Sequence, residues 1–295
     1  MPAAYKGPVA AALEPVSGYL GLYMGASSGS HPFTGDPEGT VFAFGAVGAA
    51  NAWLNQNVSV QFSAHAEGAG GYKYPAPNNT ADKESRFSGI TGAHFAYRNP
   101  SSFAIGVFGA FTGSNNIDYD AANTGGLVGG EAQLYLGMLT LYAQGGYGSQ
   151  FNNANTGMID KYWFVRGIAR YFITHNTKLQ GEVGYVAGEG QENTPAGPLA
   201  DITILSWGAS AEHRFGGTPW SVFVKYAGER IEGENIPNFP GLTAKITQHT
   251  GLIGAKMNFG ERTLFDNDRK GATFELPEFH RAFYWSCTAA QGPSC

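Results

Sequence analysis

The chain has 295 residues and a net charge of −5, and only 14% of its residues are charged, against about 25% in an average soluble protein. Lysine and arginine form no basic patch, which argues against nucleic-acid binding. No apolar run reaches the ~18 residues of a membrane-spanning helix, so a soluble all-β protein or a transmembrane β-barrel remains.

Residues 1–17 form a leader rich in proline and alanine, MPAAYKGPVAAALEPVS. The leader lacks the apolar core of a secretory signal. We expect a signal peptide to precede Pro2 in the full gene product.

Alternation of apolar and polar residues predicts about twelve strands between residues 18 and 260. In chain order they are Gly18–Ser27, Thr40–Leu54, Asn57–Tyr72, Phe87–Arg98, Ser102–Gly113, Gly126–Leu136, Met138–Ser149, two strands within Lys161–Glu189, Asp201–Phe215, Pro219–Arg230 and Ala244–Phe259. The predicted links alternate between about two to four residues and roughly ten to fifteen, so that short turns lie at one end and long loops at the other. This pattern favours an all-β fold, a transmembrane up-and-down antiparallel β-barrel.

The range Lys161–Glu189 predicts a hairpin with two distinct faces. A three-residue turn at 174–176 would place Arg170 beside Gln180, with Glu182 diagonal to them. We expect these three side chains on the inner face of the barrel, because the opposite face is apolar.

Three features bear on the class of protein: Ala3-Ala4-Tyr5-Lys6-Gly7-Pro8, then Gly18-Tyr19-Leu20-Gly21, and Phe259 at the end of the last strand. In them the chain resembles Gram-negative outer-membrane porin-like β-barrel proteins. The resemblance implies short turns and both termini in the periplasm, long extracellular loops, contact with outer-membrane lipid and lipopolysaccharide, and recognition of a terminal aromatic by the barrel-assembly machinery.

The chain departs from the resemblance by continuing through Gly260–Cys295. We predict a periplasmic leader at 1–17, a transmembrane barrel at 18–260 and a periplasmic extension at 261–295. A lumen plug and a disordered tail are the alternatives for the extension. Cys287 and Cys295 could form a disulfide only within this tail.

Inward parity places ten charged residues in or near the lumen: Glu131, Arg166, Arg170, Lys178, Glu182, Glu212, Arg214, Lys225, Glu229 and Lys256. Mixed charges can line a water-filled pore, or they can pair across strands and fill the barrel, because a lone buried charge is costly. About twelve strands lie between filled barrels of eight and open porins of sixteen. We therefore expect a narrow channel for small solutes, with a closed structural barrel as the alternative.

Aromatic residues cluster near both predicted ends of the strands, as the two interfacial girdles of a membrane barrel do. Those beside short turns are Trp53, Tyr97, Phe103, Tyr171, Phe215, Trp220 and Phe259, and those beside long loops are Tyr72, Phe111, Tyr147 and Trp163.

The long loops are predicted to be acidic, with Lys73, Lys83 and Arg86 against a larger set of carboxylates. These are Asp36, Glu38, Asp82, Glu84, Asp118, Asp120, Asp160, Glu192, Asp201, Glu232 and Glu234. An acidic mouth would favour cations, or divalent ions that bridge to lipopolysaccharide, whereas ordinary solvated loops are an equal alternative.

A lipid hydrolase is the alternative from another class, and it would need a nucleophile beside a base. His65 and His94 share inward faces with Ser63 and Ser88, but no Gly-x-Ser-x-Gly motif accompanies them. Asp118-Tyr119-Asp120 lacks the glycine and terminal glutamate of a calcium loop. We therefore predict no enzyme, no metal site and no cofactor.

Overall fold

The computed structural model describes residues 13–30, 37–73, 83–116, 121–151, 159–190, 201–234 and 244–278. Twelve antiparallel strands form a closed barrel in which sequence neighbours pair and the last strand returns to the first. The predicted fold class is confirmed. The strands are Val16–Ser30 (β1), Pro37–Trp53 (β2), Val58–Lys73 (β3), Lys83–Asn99 (β4), Phe103–Asn116 (β5), Ala121–Leu136 (β6), Leu139–Gln150 (β7), Ile159–Thr174 (β8), Thr177–Gly190 (β9), Asp201–Arg214 (β10), Trp220–Glu234 (β11) and Ala244–Phe259 (β12).

The short turns lie at one end of the barrel, as predicted, at 54–57, 100–102, 137–138, 175–176 and 215–219. Gly137 and Gly217 supply the positive φ angles, 60° and 72°, that two of these turns need. Five of the six links at the other end are shorter than the predicted ten to fifteen residues, because several strands continue beyond their predicted ends. Strand β11, for example, reaches Glu234 and leaves a link of residues 235–243.

The register of the β8–β9 hairpin confirms the prediction that Arg170 pairs with Gln180. Glu182 lies diagonal to this pair and on the same inner face, where it contacts Arg166. The turn itself is shorter than predicted. Thr174 pairs with Thr177 after an irregularity in the ladder, so residues 175–176 alone connect the strands.

The outer face of the barrel is apolar and exposed, as in a wall that faces lipid. Leu22 is 71% exposed, Phe62 63% and Ile105 57%. The inner face carries buried polar side chains such as Gln61 and Gln133. Among the described residues, no helix has the length and apolar character that a membrane-spanning helix needs.

Most of the predicted girdle residues project outward, and the exposed ones are Tyr97, Phe103, Tyr171, Phe215, Trp220, Phe259, Phe111, Tyr147 and Trp163. Trp53 was predicted wrongly. Its indole Nε1 donates to the carbonyl oxygen of Lys270 at 2.7 Å, on the inner side of the short-turn end. The side chain of Tyr72 lies outside the described residues, as do most of the loop acids.

The inner wall is not uniformly polar. A cluster of buried apolar side chains occupies the part of the lumen toward the long loops, and it includes Phe108, Phe164, Val186 and Ile204. Most of the predicted charged residues lie nearer the short turns, whereas Arg166 lies near mid-strand and Glu229 lies toward the long loops, level with Ser206 and Gln248. One member of the apolar cluster, Leu276, comes from beyond the last strand.

Candidate functional site: the barrel lumen and the C-terminal segment

The ten residues predicted to line the lumen all lie on the inner wall. Six are buried outright, and Lys178, Glu182, Lys225 and Lys256 have side chains only 13% to 17% exposed. The buried six are Glu131, Arg166, Arg170, Glu212, Arg214 and Glu229. Whether these side chains line a conducting pore depends on what else occupies the lumen.

The chain turns back into the barrel after β12. We call Gly260–Glu278 the C-terminal segment. Gly260 has a φ of 82°, and a Cβ there would lie 2.5 Å from Ser17 Cβ. Only glycine adopts this backbone without strain while packing so closely, so Gly260 makes the reversal possible.

The segment begins with the only helix in the described part of the chain, Leu264–Lys270 (α1). Thr263 caps it, since its hydroxyl accepts from the backbone N–H of Asp266 at 3.0 Å. Asp266 lies in the first turn, and Arg269 and Lys270 lie in the last, which complements the helix dipole.

Helix α1 lies across the short-turn end of the barrel. Its Phe265 N–H donates to the carbonyl of His175 at 2.9 Å, in the β8–β9 turn. Its Arg269 Nη2 donates to the carbonyl of Gly137 at 2.7 Å, in the β6–β7 turn. The helix therefore joins the turns of two neighbouring hairpins and covers this end of the lumen.

Arg98, on β4, anchors the end of the helix and was missed from the sequence. Its guanidinium donates to the carbonyls of Gly271, at 2.8 Å, and Arg269, at 2.9 Å. It also lies over the rings of Trp53 and Phe274, with its Cζ 5.0 and 5.3 Å from their centroids. Strand parity with His94 would have placed Arg98 inside, but its position beside a turn hid that role.

Residues 273–278 then run up the lumen as an extended chain. Gln61 pairs with the backbone of Phe274 in the manner of a neighbouring strand: Nε2 donates to its carbonyl at 2.6 Å, and its N–H donates to Oε1 at 3.1 Å. Gln144 donates to the carbonyl of Glu275 at 2.8 Å. Wall side chains thus satisfy the backbone groups of a segment that has no strand beside it.

The Glu275 carboxylate is held by three wall side chains. Its Oε1 lies 2.9 Å from Arg170 Nη2, and its Oε2 lies 3.1 Å from both Arg166 Nη2 and Gln180 Nε2. Arg170 also reaches Asp268 of the helix, with Nη1 and Oδ1 2.9 Å apart. Arg170 therefore links both parts of the C-terminal segment to the wall.

A second group of ion pairs lies beside the first. Glu212 contacts Lys256 at 2.9 Å and Lys178 at 3.3 Å, within the wall. Lys225 contacts Glu278 of the segment at 2.7 Å and Glu182 of the wall at 3.4 Å.

The structure places residues 261–278 against the inner wall of the barrel, as in the lumen plug that was the alternative to a periplasmic extension. The physical reason is charge complementarity, because the acids of the segment neutralise arginines and lysines that inward parity had already placed in the barrel. Residues 279–295, including Cys287 and Cys295, lie outside the described part, as does the leader before residue 13.

The inward histidines form hydrogen-bonded groups. His94 Nδ1 lies 2.9 Å from Glu131, which also accepts from the hydroxyl of Tyr142 at 2.6 Å. The ring of His94 stacks between Phe108 and Phe274, at 5.6 and 5.5 Å. This histidine therefore binds and orients wall and segment side chains.

His65 contacts the hydroxyl of Tyr23. Ser63 accepts a hydrogen bond from Gln61 at 2.8 Å, so that its hydroxyl belongs to the group that holds the segment. Within the described residues, no group of three or more His, Cys, Asp or Glu side chains is placed to hold a metal ion.

A cavity of about 100 Å³ remains beside the segment, lined in part by Tyr19, Lys178, Lys256, Phe274 and Glu278. Ligand sites usually measure about 300–1,000 Å³. The conformation described has no room here for a solute the size of a sugar.

Burial raises the pKa of the Glu261 carboxyl, at the start of the segment, to about 7. Lys270 opposes the rise and Asp266 adds to it. Arg214 donates to the Glu261 backbone carbonyl at 2.7 Å, which holds Glu261 at the short-turn end of the barrel.

The closed barrel and its polar inner wall define a class, that of transmembrane β-barrels found among outer-membrane channels and porins. An outer-membrane channel from Pseudomonas putida F1 shares this fold with a TM-score of 0.55 and 14% identity, covering 83% of this chain and 96% of that chain. No protein-family model matches the chain, and no curated protein matches it significantly in sequence.

Two further solved structures align over a similar range. The KdgM porin, in complex with disordered oligogalacturonate, has 8% identity and a TM-score of 0.43, covering 83% of this chain and 99% of that one. A Pseudomonas aeruginosa FadL homologue has 11% identity and a TM-score of 0.43, covering 84% and 90%.

Proposed function

We propose that the protein is an outer-membrane channel for passive diffusion of small solutes, and that its C-terminal segment closes the lumen. One observation carries the proposal: the barrel is complete without the segment, because each of the twelve strands pairs with two others. The segment is held largely by side-chain hydrogen bonds and ion pairs, for which water can substitute when the segment leaves.

The proposed orientation places the short turns, helix α1, the start of β1 and the end of β12 on the periplasmic side. Phe259 would serve the barrel-assembly machinery as the terminal aromatic of the last strand. The acidic loops would then face outward, where divalent ions could bridge them to lipopolysaccharide.

A closed structural barrel is the second candidate, and the apolar contacts of the segment favour it. Leu276 is buried in the apolar cluster toward the long loops, which we call the upper cluster. Phe274 is buried with Tyr142 and Ile168. Buried apolar side chains are costly to expose, at about 1.5–3 kcal/mol each. A segment that never leaves would make the protein a plugged scaffold.

A reversible lock distinguishes the two candidates. Gln133 Nε2 lies 3.2 Å from Thr273 Oγ1, so a short bis-methanethiosulfonate reagent can bridge Gln133→Cys and Thr273→Cys and join wall and segment. Cys287→Ser and Cys295→Ser remove competing thiols. In planar bilayers we expect single-channel openings before bridging, their loss after it, and their return when dithiothreitol cleaves the bridge.

Thr273→Cys alone, in the same background, is the matched control and should open before and after treatment with the reagent. If the unbridged protein and the control never conduct, the structural barrel replaces the channel. If the bridge forms and openings persist, solutes pass without movement of the segment and the proposed closure is wrong.

The absence of enzymatic activity stays a prediction. His94 Nδ1 is hydrogen-bonded to Glu131 at 2.9 Å, and the Ser63 hydroxyl accepts a hydrogen bond from Gln61. Hydrolysis of phospholipid or lipid A by the purified protein, abolished by His65→Ala, would establish the hydrolase alternative.

A further inference from the structure

The site around Glu275 has the donor set of a carboxylate receptor. Two guanidinium groups and one amide bind the two oxygens, all within 3.1 Å. Arginine binds carboxylates in this way because its planar guanidinium group supplies several N–H donors in a fixed geometry. Arg166 and Arg170 are buried on the wall, so this site remains when the segment leaves.

Ion pairs within the wall balance part of its charge, and the segment balances another part. Nine of the ten predicted lumen residues lie on β8–β12; six are cations and three are acids, a net charge of +3. Three acids of the segment contact these cations, namely Asp268, Glu275 and Glu278. With the buried Arg98, Glu67 and Glu131 added, the wall carries seven cations and five acids, and this net charge of +2 in a narrow lumen favours the entry of anions once the segment has left.

Apolar groups flank the carboxylate site. The residues on either side of Glu275 are Phe274, which stacks on His94 at 5.5 Å, and Leu276, which is buried with Phe164 and Val186. The segment thus presents a carboxylate between two apolar bodies, and the wall binds both kinds of group.

Resting on the proposed channel function, we propose that the lumen takes small carboxylates with an apolar body, and that Phe274-Glu275-Leu276 occupies their site. The carboxylate binds Arg166, Arg170 and Gln180, and the apolar body lies against the upper cluster. Segment and solute therefore compete for one site.

Benzoate tests the proposal, with benzamide as its neutral isostere and acetate as the carboxylate without an apolar body. The full-length Glu275→Gln variant keeps the wall site and holds the segment less tightly, so that benzoate competes for the site more easily. We expect benzoate to bind the detergent-solubilised variant at least tenfold more tightly than benzamide or acetate, measured by titration calorimetry. We also expect benzoate to block its channel current and reversal potentials in a salt gradient to show anion preference.

Arg166→Gln in the Glu275→Gln background should lower benzoate affinity about tenfold, since a charge-assisted hydrogen bond is lost. Arg230→Gln is the matched control and should change affinity less than about twofold, because Arg230 pairs with Glu232 on the outer face of β11. Heat-modifiable electrophoretic mobility checks that each variant folds.

Equal binding of benzamide and benzoate, equal binding of inorganic phosphate, or an affinity that Arg166→Gln leaves unchanged would each overturn the carboxylate site. Cation preference in the open channel would do so as well. Benzoate binding without any current in any variant would reject the channel while leaving the site intact. Current without benzoate binding would reject the carboxylate site while leaving the channel intact.

Discussion

Arg170 and Glu275 lie 105 residues apart in the chain, and their Nη2 and Oε1 atoms are 2.9 Å apart inside the barrel. The same guanidinium binds Asp268 through its other nitrogen. One wall arginine therefore holds both the helix that covers the short-turn end and the extended chain that fills the lumen. The predictions below follow from this connection.

Glu275→Gln should raise the open probability of the full-length channel by about ten- to a hundredfold. Arg166 and Arg170 then keep only Glu182 and Asp268 as anionic partners, and the loss of the shared carboxylate costs up to about 3–5 kcal/mol, which segment release partly relieves. Glu278→Gln is the matched control, with a smaller expected rise, because Glu278 forms an ion pair with Lys225 at 2.7 Å, whereas two buried arginines share Glu275. Single-channel recording measures both, and equal effects would contradict the special role of Glu275.

Arg98→Lys should free the segment while leaving the barrel folded. Lysine keeps the charge but cannot donate to the carbonyls of Arg269 and Gly271 together, as the guanidinium does. We expect thermolysin to cleave the segment at least about tenfold faster, at apolar sites such as Leu276. Arg262→Lys, at an exposed position of the same segment, should cleave at the wild-type rate.

Gly260→Ala should destabilise the docked segment by about 1–3 kcal/mol, because alanine is strained at a φ of 82° and its Cβ meets Ser17. Protection of segment amides from hydrogen exchange gives the measurement. Gly216→Ala is the control, since a Cβ there has no neighbour within 4 Å. Unchanged protection in Gly260→Ala would show that the reversal does not need glycine.

Docking of the segment should weaken as pH rises through about 7. Burial raises the Glu261 pKa to about 7 from 4.5, so the docked state binds a proton that the released state loses. The stabilisation is complete below pH 4.5 and is lost above pH 7. Open probability should therefore rise between pH 5 and 8, and Glu261→Gln should remove most of that rise. A pH response identical in the variant would assign it to another group.

Leu22→Arg tests whether the outer face meets lipid. Leu22 pairs with Ala46 and Ala255 near the middle of their strands and is 71% exposed. Arginine at the bilayer midplane costs about 2–4 kcal/mol, so the unfolding free energy in lipid vesicles should fall by that amount. Leu54→Arg, in a turn and 61% exposed, should change it by less than about 1 kcal/mol. Equal effects at both positions would argue against a membrane-facing wall.

The sequence by itself determined the strands, their order and the wall charges, because a strand alternates its faces every two residues and a hairpin pairs residues close in the chain. Arg170 beside Gln180 needed no more than that local rule. The ten charged residues faced the lumen for the same reason.

Only the tertiary structure decided where residues 260–278 lie. Their partners, Gln61, Arg98, Gln133 and Arg170, come from β3, β4, β6 and β8 and meet only when the barrel closes. The segment has no alternating pattern of its own, and its helix is a single short element capped by Thr263. Docking depends on charges that match across the closed lumen, which strand periodicity does not encode, and so Trp53 was assigned to a girdle and the segment to the periplasm.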